Sequence, residues 1–262
     1  MGKVIASSAD FVKRVLDRKR EGTLRDVQVM DFFQFAYPLA DLSHSQLYQD
    51  LWALYMHGTE KPGFFVEFGA CDGLVMSNTA LLEQKYGWSG ILAEPNPRWH
   101  ADIVKNRQCN ICFDCVTDGA KDTTTFFDVE DEPELSRVGD IVPVDNHEAS
   151  GARSHAKEIT VNCLSLNALL ARYDAPDTID FLSIDTEGSE LEILSAFDFS
   201  RWKVRLLAVE HGGDEAKREG IFTLLTAKGF SRWNTEVSRW DDWYYLTRDR
   251  LKPRPLNYAQ HQ

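Results

Sequence analysis

Four carboxylates stand within residues 185–192: Asp185, Glu187, Glu190 and Glu192, in the run FLSIDTEGSELEIL (181–194). Apolar residues flank them on both sides, so the charge sits at the edge of a core. The same pattern recurs along the chain. Glu67 and Gly69 close GFFVEFG (63–69), and Asp72 follows in the turn GACDG. Glu94 closes GILAEP (90–95), and Glu210 with His211 closes KVRLLAVEH (203–211). Acids at such places can accept hydrogen bonds from hydroxyls, hold a divalent cation or take a proton. An imidazole, with an ordinary pKa of about 6.5, is suited to the last task.

These residues need elements to position them. Short β-rich runs alternate with helical patterns from residue 63 onward. The alternation predicts strands over 63–69, 90–95, 109–116, 179–185 and 203–211. It predicts helices over 77–87, 97–106, 165–173, 189–197 and 214–229, with Gly87 and Gly229 as stops. Strands alternating with helices make βαβ units and a parallel sheet. FSRWNTE and RWDDWYYLTR add an antiparallel hairpin, which completes a doubly wound, seven-stranded α/β sheet. The alternation breaks over 117–164. There TTTFFDVE and EITVNCL read as strands around a long polar loop (130–157), the kind that serves as a lid or is disordered.

Ahead of the sheet, residues 1–42 read as an N-terminal helical extension. Phe11, Val12, Val15 and Leu16 fall at helical spacing, with Lys13, Arg14, Arg18, Lys19 and Arg20 around them. A basic helix can touch a membrane or a partner, but a solvated face is the simpler reading. Residues 43–56 read as a second helix with Ser43 or Ser45 as N-cap. The division expected is an extension (1–42), a catalytic domain (43–250) with a variable insert at about 117–164, and a tail (251–262).

In an open parallel sheet, ligands sit outside the carboxyl ends of the strands. Every acid named above falls there. The first turn, GACDG, is not GxGxxG, and Glu67 and Asp72 would repel a dinucleotide pyrophosphate. A ligand carrying an ammonium and a sulfonium would be attracted. Glu94 can accept hydrogen bonds from both hydroxyls of a ribose. Ribose, positive charge and no phosphate together describe S-adenosylmethionine.

SQLYQD (45–50), GFFVEFGACDGLVMSNTALLEQKYGWSGILAEPNP (63–97), IDTEGSELEIL (184–194) and VEH (209–211) resemble the FkbM family of methyltransferases. The resemblance implies a class I, Rossmann-like S-adenosylmethionine-dependent O-methyltransferase. It implies an acceptor hydroxyl on a sugar, a glycan or a natural product. By resemblance, Glu67, Gly69, Asp72, Ser77, Asn78 and Glu94 line the cofactor, with Asp185 beside it and Gln46 closing over it.

Within the 185–192 cluster, Ser189-x-x-Glu192 is expected to form a capping box, which makes Glu192 structural. Glu190 falls in the first helical turn, where the dipole favours an acid. Asp185 and Glu187 precede the helix and are the functional pair. Methyl transfer to a hydroxyl requires the hydroxyl proton to leave. His211 is the first choice of general base and Asp185 the second. Alternatively Asp185, Glu210 and His211 hold Mg²⁺ or Mn²⁺, which oxygen ligands with one imidazole suit better than Zn²⁺. His147 and His155 can reach a substrate if the 130–157 loop folds over. His44 and His57 are expected at the surface, and one tryptophan of the 233–245 hairpin can serve as a sugar platform.

A formal charge of -12 disfavours nucleic acid as the partner. No window approaches the ~18 apolar residues of a membrane span, and the N-terminus lacks a signal-peptide core, so a cytoplasmic location is expected. Five cysteines without such a signal argue against a disulfide framework. The CxxCxxC run at 109–115 lacks a second ligand cluster and reads as thiols in one strand. A homo-oligomer stays open. The competing readings are a catalytically silent member of the fold, or a nucleotide-sugar or NAD enzyme on a similar sheet.

Overall fold

The computed structural model describes residues 27–139, 141 and 144–249. Of the helical extension expected over 1–42, residues 1–26 lie outside the described residues, as does the tail at 251–262, while 27–42 are helical. The body is a seven-stranded sheet. Its strands are β1 (Phe64–Phe68), β2 (Ser89–Ala93), β3 (Asn110–Cys112), β8 (Thr178–Ile184), β9 (Lys203–Glu210), β10 (Phe230–Arg232) and β11 (Asp241–Leu246). They lie in the order β10-β11-β9-β8-β1-β2-β3. Only the contacts of β11 are antiparallel. The order reverses at β1, so the carboxyl ends of β1 and β8 border the switch point where such sheets bind ligands.

The side chains explain why the sheet is covered on both faces. Consecutive residues alternate between two cores, Phe65 against Val66, Phe181 against Leu182, Leu206 against Leu207, and Trp243 against Tyr244. Strands buried on both sides read as continuous apolar runs. One face packs α1 (Val27–Ala36), α2 (Gln49–His57) and α3 (Ala80–Tyr86), with Phe32, Trp52, Trp233 and Trp243 as a ring cluster. The other packs α6 (Leu166–Arg172), α7 (Glu190–Ala196) and α8 (Glu215–Ala227). A short helix, α4 (His100–Asn106), links β2 to β3.

Two sequence expectations are corrected here. The helix expected over 43–56 begins only at Gln49, because Tyr48 is left-handed (φ +68°). Ser43 and Ser45 are not its N-cap. Ser43 Oγ donates to Asp50 Oδ1 at 2.6 Å, and Ser45 Oγ accepts from the Asp50 amide. Residue 45 is taken up by a bridge to Met76, which keeps this stretch extended. The single strand expected over 109–116 is two. It breaks at Phe113 and Asp114, and β4 (Cys115–Thr117) leaves for a second sheet.

That second sheet, β4-β7-β5-β6, accounts for most of the insert. It contains β5 (Thr123–Val129), β6 (Arg137–Val138) and β7 (Ala156–Ser165). The two strands read from TTTFFDVE and EITVNCL are β5 and β7, paired antiparallel from Thr123↔Asn162 to Val129↔Ala156. The polar loop between them carries a 3-10 turn (Pro133–Leu135), β6 and a short helix, α5 (Asn146–Ser150).

Candidate active site

A cavity of ≈ 1310 Å³ opens at the carboxyl ends of β1, β2, β8 and β9 and runs beneath the insert. Gly69, at the end of β1, has φ +71°, and a Cβ there would lie 1.9 Å from the Asp185 carbonyl oxygen. Only glycine allows this contact between the ends of β1 and β8. Other wall residues are strained as well. Cys71, Met76, Glu187 and Arg239 are left-handed non-glycines, and all four line the cavity. Such strain gathers at functional sites.

On the β2 side, Glu94 lines the cavity and is buried. Its Oε2 accepts from the Cys71 amide at 2.9 Å and its Oε1 from the Asn96 amide at 2.8 Å. Each oxygen keeps a further lone pair. Burial pushes its carboxyl up to about 7 against the help of the two amides. Asn78 lines the cavity where β1 meets β8. Its Nδ2 donates to Ser183 Oγ at 2.9 Å, while its Oδ1 is buried with no partner among the described residues. Gln46 lies in the wall, with Nε2 2.9 Å from Met76 Sδ.

On the β8 and β9 side, Asp185, Glu187 and Glu210 each bring one carboxylate oxygen within 4.8 Å of the others. Burial first, and the mutual repulsion of the acids second, hold Asp185 and Glu210 well above the usual carboxylate range. Burial also lifts Glu187, to about 7, against the pull of Arg153. Glu210 Oε2 is buried without a partner among the described residues. Arg153 comes from the insert. It forms a fork on Asp145 at 2.8 and 2.9 Å, donates to the Leu135 carbonyl and pairs with Glu187. Arg153 and Asp145 carried no readable signal in a polar loop. The left-handed Glu187 (φ +56°) is what turns its side chain toward them.

The remaining acids of the 185–192 cluster have settled roles. Glu190 is fully buried, pairs with Lys217 Nζ at 2.9 Å and accepts from the amides of Thr186 and Gly188. It holds the loop that carries Asp185 and Glu187. The capping box is absent. Ser189 Oγ donates to Thr186 Oγ1 at 2.8 Å, and Glu192 is exposed. The structural acid is therefore Glu190 rather than Glu192, because a loop with two left-handed residues needs an acceptor for its own amides.

His211 is separated from the acids. Its backbone amide donates to the Trp240 carbonyl, and its Nδ1 accepts from the Gly213 amide at 3.1 Å. It does not line the cavity. Neighbouring residues at a strand end point to opposite sides, so Glu210 and His211 cannot both face the acids. Glu187 stands in the place that the sequence assigned to His211.

Glu67, Asp72 and Ser77 lie behind the wall. Glu67 accepts from Ser77 Oγ (2.9 Å), the Asn78 amide (2.6 Å) and Thr79 Oγ1 (2.5 Å), with buried Arg107 3.7 Å away. Asp72 Oδ1 accepts from the amides of Leu74 and Val75 and shapes the turn. Of the other histidines, His147 lines the cavity, His155 pairs with exposed Asp131, and His57 lies between Asp180 and Arg205. Trp240 is the hairpin tryptophan at the cavity, while Trp233 and Trp243 are core.

The chain is similar to the methyltransferase sdnD of Sordaria araneosa, with 27% identity over 221 residues, covering 75% of this chain and 79% of that protein. Among solved structures it is similar to methyltransferase FkbM from Methylobacillus flagellatus KT (15% identity, TM-score 0.43), covering 91% of this chain and 60% of that one. It is also similar to the N-terminal domain of human METTL16 in complex with SAH (13% identity, TM-score 0.36), covering 93% and 96% respectively. The model of the methyltransferase FkbM domain matches residues 67–244, from the Glu67 strand through the closing hairpin. This chain belongs to the FkbM methyltransferase family.

Proposed function

We propose that the protein is an S-adenosylmethionine-dependent O-methyltransferase whose acceptor is a hydroxyl of a sugar, glycan or natural product. The observation that carries the reading is one cavity with two unlike ends. At the β2 end, Glu94 is oriented by two amides and keeps lone pairs for ribose hydroxyls. The orphaned Asn78 Oδ1 is an acceptor suited to the ammonium of the cofactor. Gly69 gives the close backbone approach. The residues present therefore fit the cofactor, which when bound supplies an electrophilic methyl group on a sulfonium.

At the other end, three acids face the same space. A hydroxyl is a poor nucleophile until its proton is removed or its oxygen is polarised. Asp185 lines the cavity and is the base this reading favours, since burial first and the neighbouring acids second raise its affinity for a proton. Proton transfer of this kind contributes ~10²–10⁴-fold. The same three carboxylates, Asp185, Glu187 and Glu210, would hold Mg²⁺ or Mn²⁺, which when bound would polarise the hydroxyl. The unpartnered Glu210 Oε2 supports that use. Trp240 offers an aromatic face for a sugar ring.

Calorimetric titration with S-adenosylhomocysteine tests the reading. Micromolar binding is expected for the wild type. Glu94→Ala is expected to weaken it by about 10²–10⁴-fold, the loss of two hydrogen bonds to a charged group. Absence of binding by the wild type, with and without Mg²⁺, would overturn the proposal.

A further inference from the structure

The cysteine run that the fold divides between two sheets places one thiol beside another. Cys115, in β4, is the register partner of Cys163 in the parallel strand β7. Register partners on neighbouring strands point to the same face at a separation of about 4.8 Å, within the Cα range of about 4.4–6.8 Å that a disulfide spans. Both thiols are free, and Cys163 packs on the small core that contains Cys115. The two differ in accessibility. Cys115 is buried and lines the cavity, whereas Cys163 is half-buried.

We infer that Cys115 and Cys163 are a reversible dithiol–disulfide pair whose oxidation reshapes the cofactor end of the cavity. The oxidant is a peroxide. The Cys163 sulfur attacks it, an S–O bond forms, the O–O bond breaks and the departing oxygen leaves as water. Cys115 then attacks that sulfur. An S–S bond forms, the S–O bond breaks and a second water leaves. Two thiols lose two electrons in total, and one peroxide is reduced to two waters.

The chemistry of the two sites suits these roles. The neighbouring Cys115 thiol, with Thr117 and Lys121 nearby, lowers the Cys163 thiol and favours its thiolate. The Cys163 thiol and burial raise Cys115, which is the resolving partner. The other strand thiols lack this pairing. Burial pushes Cys109 up to about 12, and Cys112 lies against Arg172 in the main sheet.

A disulfide brings the two Cβ atoms to about 3.8 Å, closer than neighbouring strands ordinarily hold them. β4 must therefore move toward β7, and Cys115 and Val116, which line the cavity, move with it. Shifts of about 0.5–1 Å forfeit a quarter to a half of each contact made there.

Intact-mass analysis and peptide mapping of the full chain, before and after hydrogen peroxide, test the pair. The expected result is loss of two hydrogens, a Cys115–Cys163 link and reversal by dithiothreitol. Binding of S-adenosylhomocysteine is expected to weaken about three- to tenfold on oxidation. Cys163→Ser is expected to form no link and to keep its affinity after peroxide. A link to another cysteine, or stable over-oxidation of Cys163 without a link, would overturn the pair. A link that leaves the affinity unchanged would overturn its coupling to the cavity. Failure of the reduced protein to bind S-adenosylhomocysteine would fail the cofactor reading, while the mass change would still decide this one.

Discussion

Two nests of acids among the described residues, one buried at Glu67 and one half-buried at Asp185, Glu187 and Glu210, are treated in opposite ways. Behind the β1 turn, Glu67 accepts from two hydroxyls and an amide with Arg107 alongside. At the ends of the neighbouring strands β8 and β9, Asp185, Glu187 and Glu210 lie together, Glu187 pairs with Arg153 from the insert, and a Glu210 oxygen has no partner among the described residues. An acid at a strand end is thus not a sign of chemistry in itself. The distinguishing property is whether the protein has already used its lone pairs.

The sharpest way to break this contrast is to remove one acid from each nest. Asp185→Ala is expected to lower kcat by about 10²–10⁴-fold at saturating cofactor. Its thermal midpoint is expected to rise, because a repelling carboxylate leaves the cluster. Glu67→Ala is expected to do the reverse to stability and cost about 3–5 kcal/mol in urea unfolding, since Arg107 and three donors lose their acceptor. Equal destabilisation by both would erase the distinction between the nests.

Titration sharpens it further. The carboxyls of Glu94, Glu187 and Asp241 are raised to about 7 in the folded protein. Between the ordinary carboxylate range and pH 7, the folded state therefore holds more protons than the unfolded chain. Stability falls as pH rises through that window. Thermal melts from pH 5 to pH 8 should show the decline. Glu94→Gln should remove at most ~3 kcal/mol of it, because one group shifted from 4.5 to about 7 carries no more. Cofactor affinity should move the other way, since ionised Glu94 is the better acceptor for ribose. The smallest effect belongs to His211→Asn. It is expected to change kcat by less than about fivefold, against the ~10² that loss of a general base brings.

The sheet was legible because its signals are local. Alternating apolar runs, Gly87 after α3 and Asp214 before α8 leave little choice of element. The hairpin followed from two aromatic strands and closes the order beside β9. Asp185, Glu94 and Gly69, singled out by their position at strand ends, line the cavity. What stayed hidden depends on backbone choices that no spacing announces. Tyr48 and Glu187 take left-handed conformations, which delays one helix and turns one acid into the site. The break at Phe113 and Asp114 sends half of one apolar run into another sheet. Arg153 reaches the acids through a fold of the insert that a polar loop does not reveal. His211 lies just past the end of β9 and does not line the cavity, which its place in VEH does not reveal.

Gly69 has one more consequence. Where its missing Cβ admits the Asp185 carbonyl, two backbones touch, so the distance between the turn at β1 and the loop at β8 is a gauge length set by main chain. Side chains on either wall can be exchanged without altering it. The insert can therefore be remodelled while the turn at β1 and the loop at β8 keep their spacing.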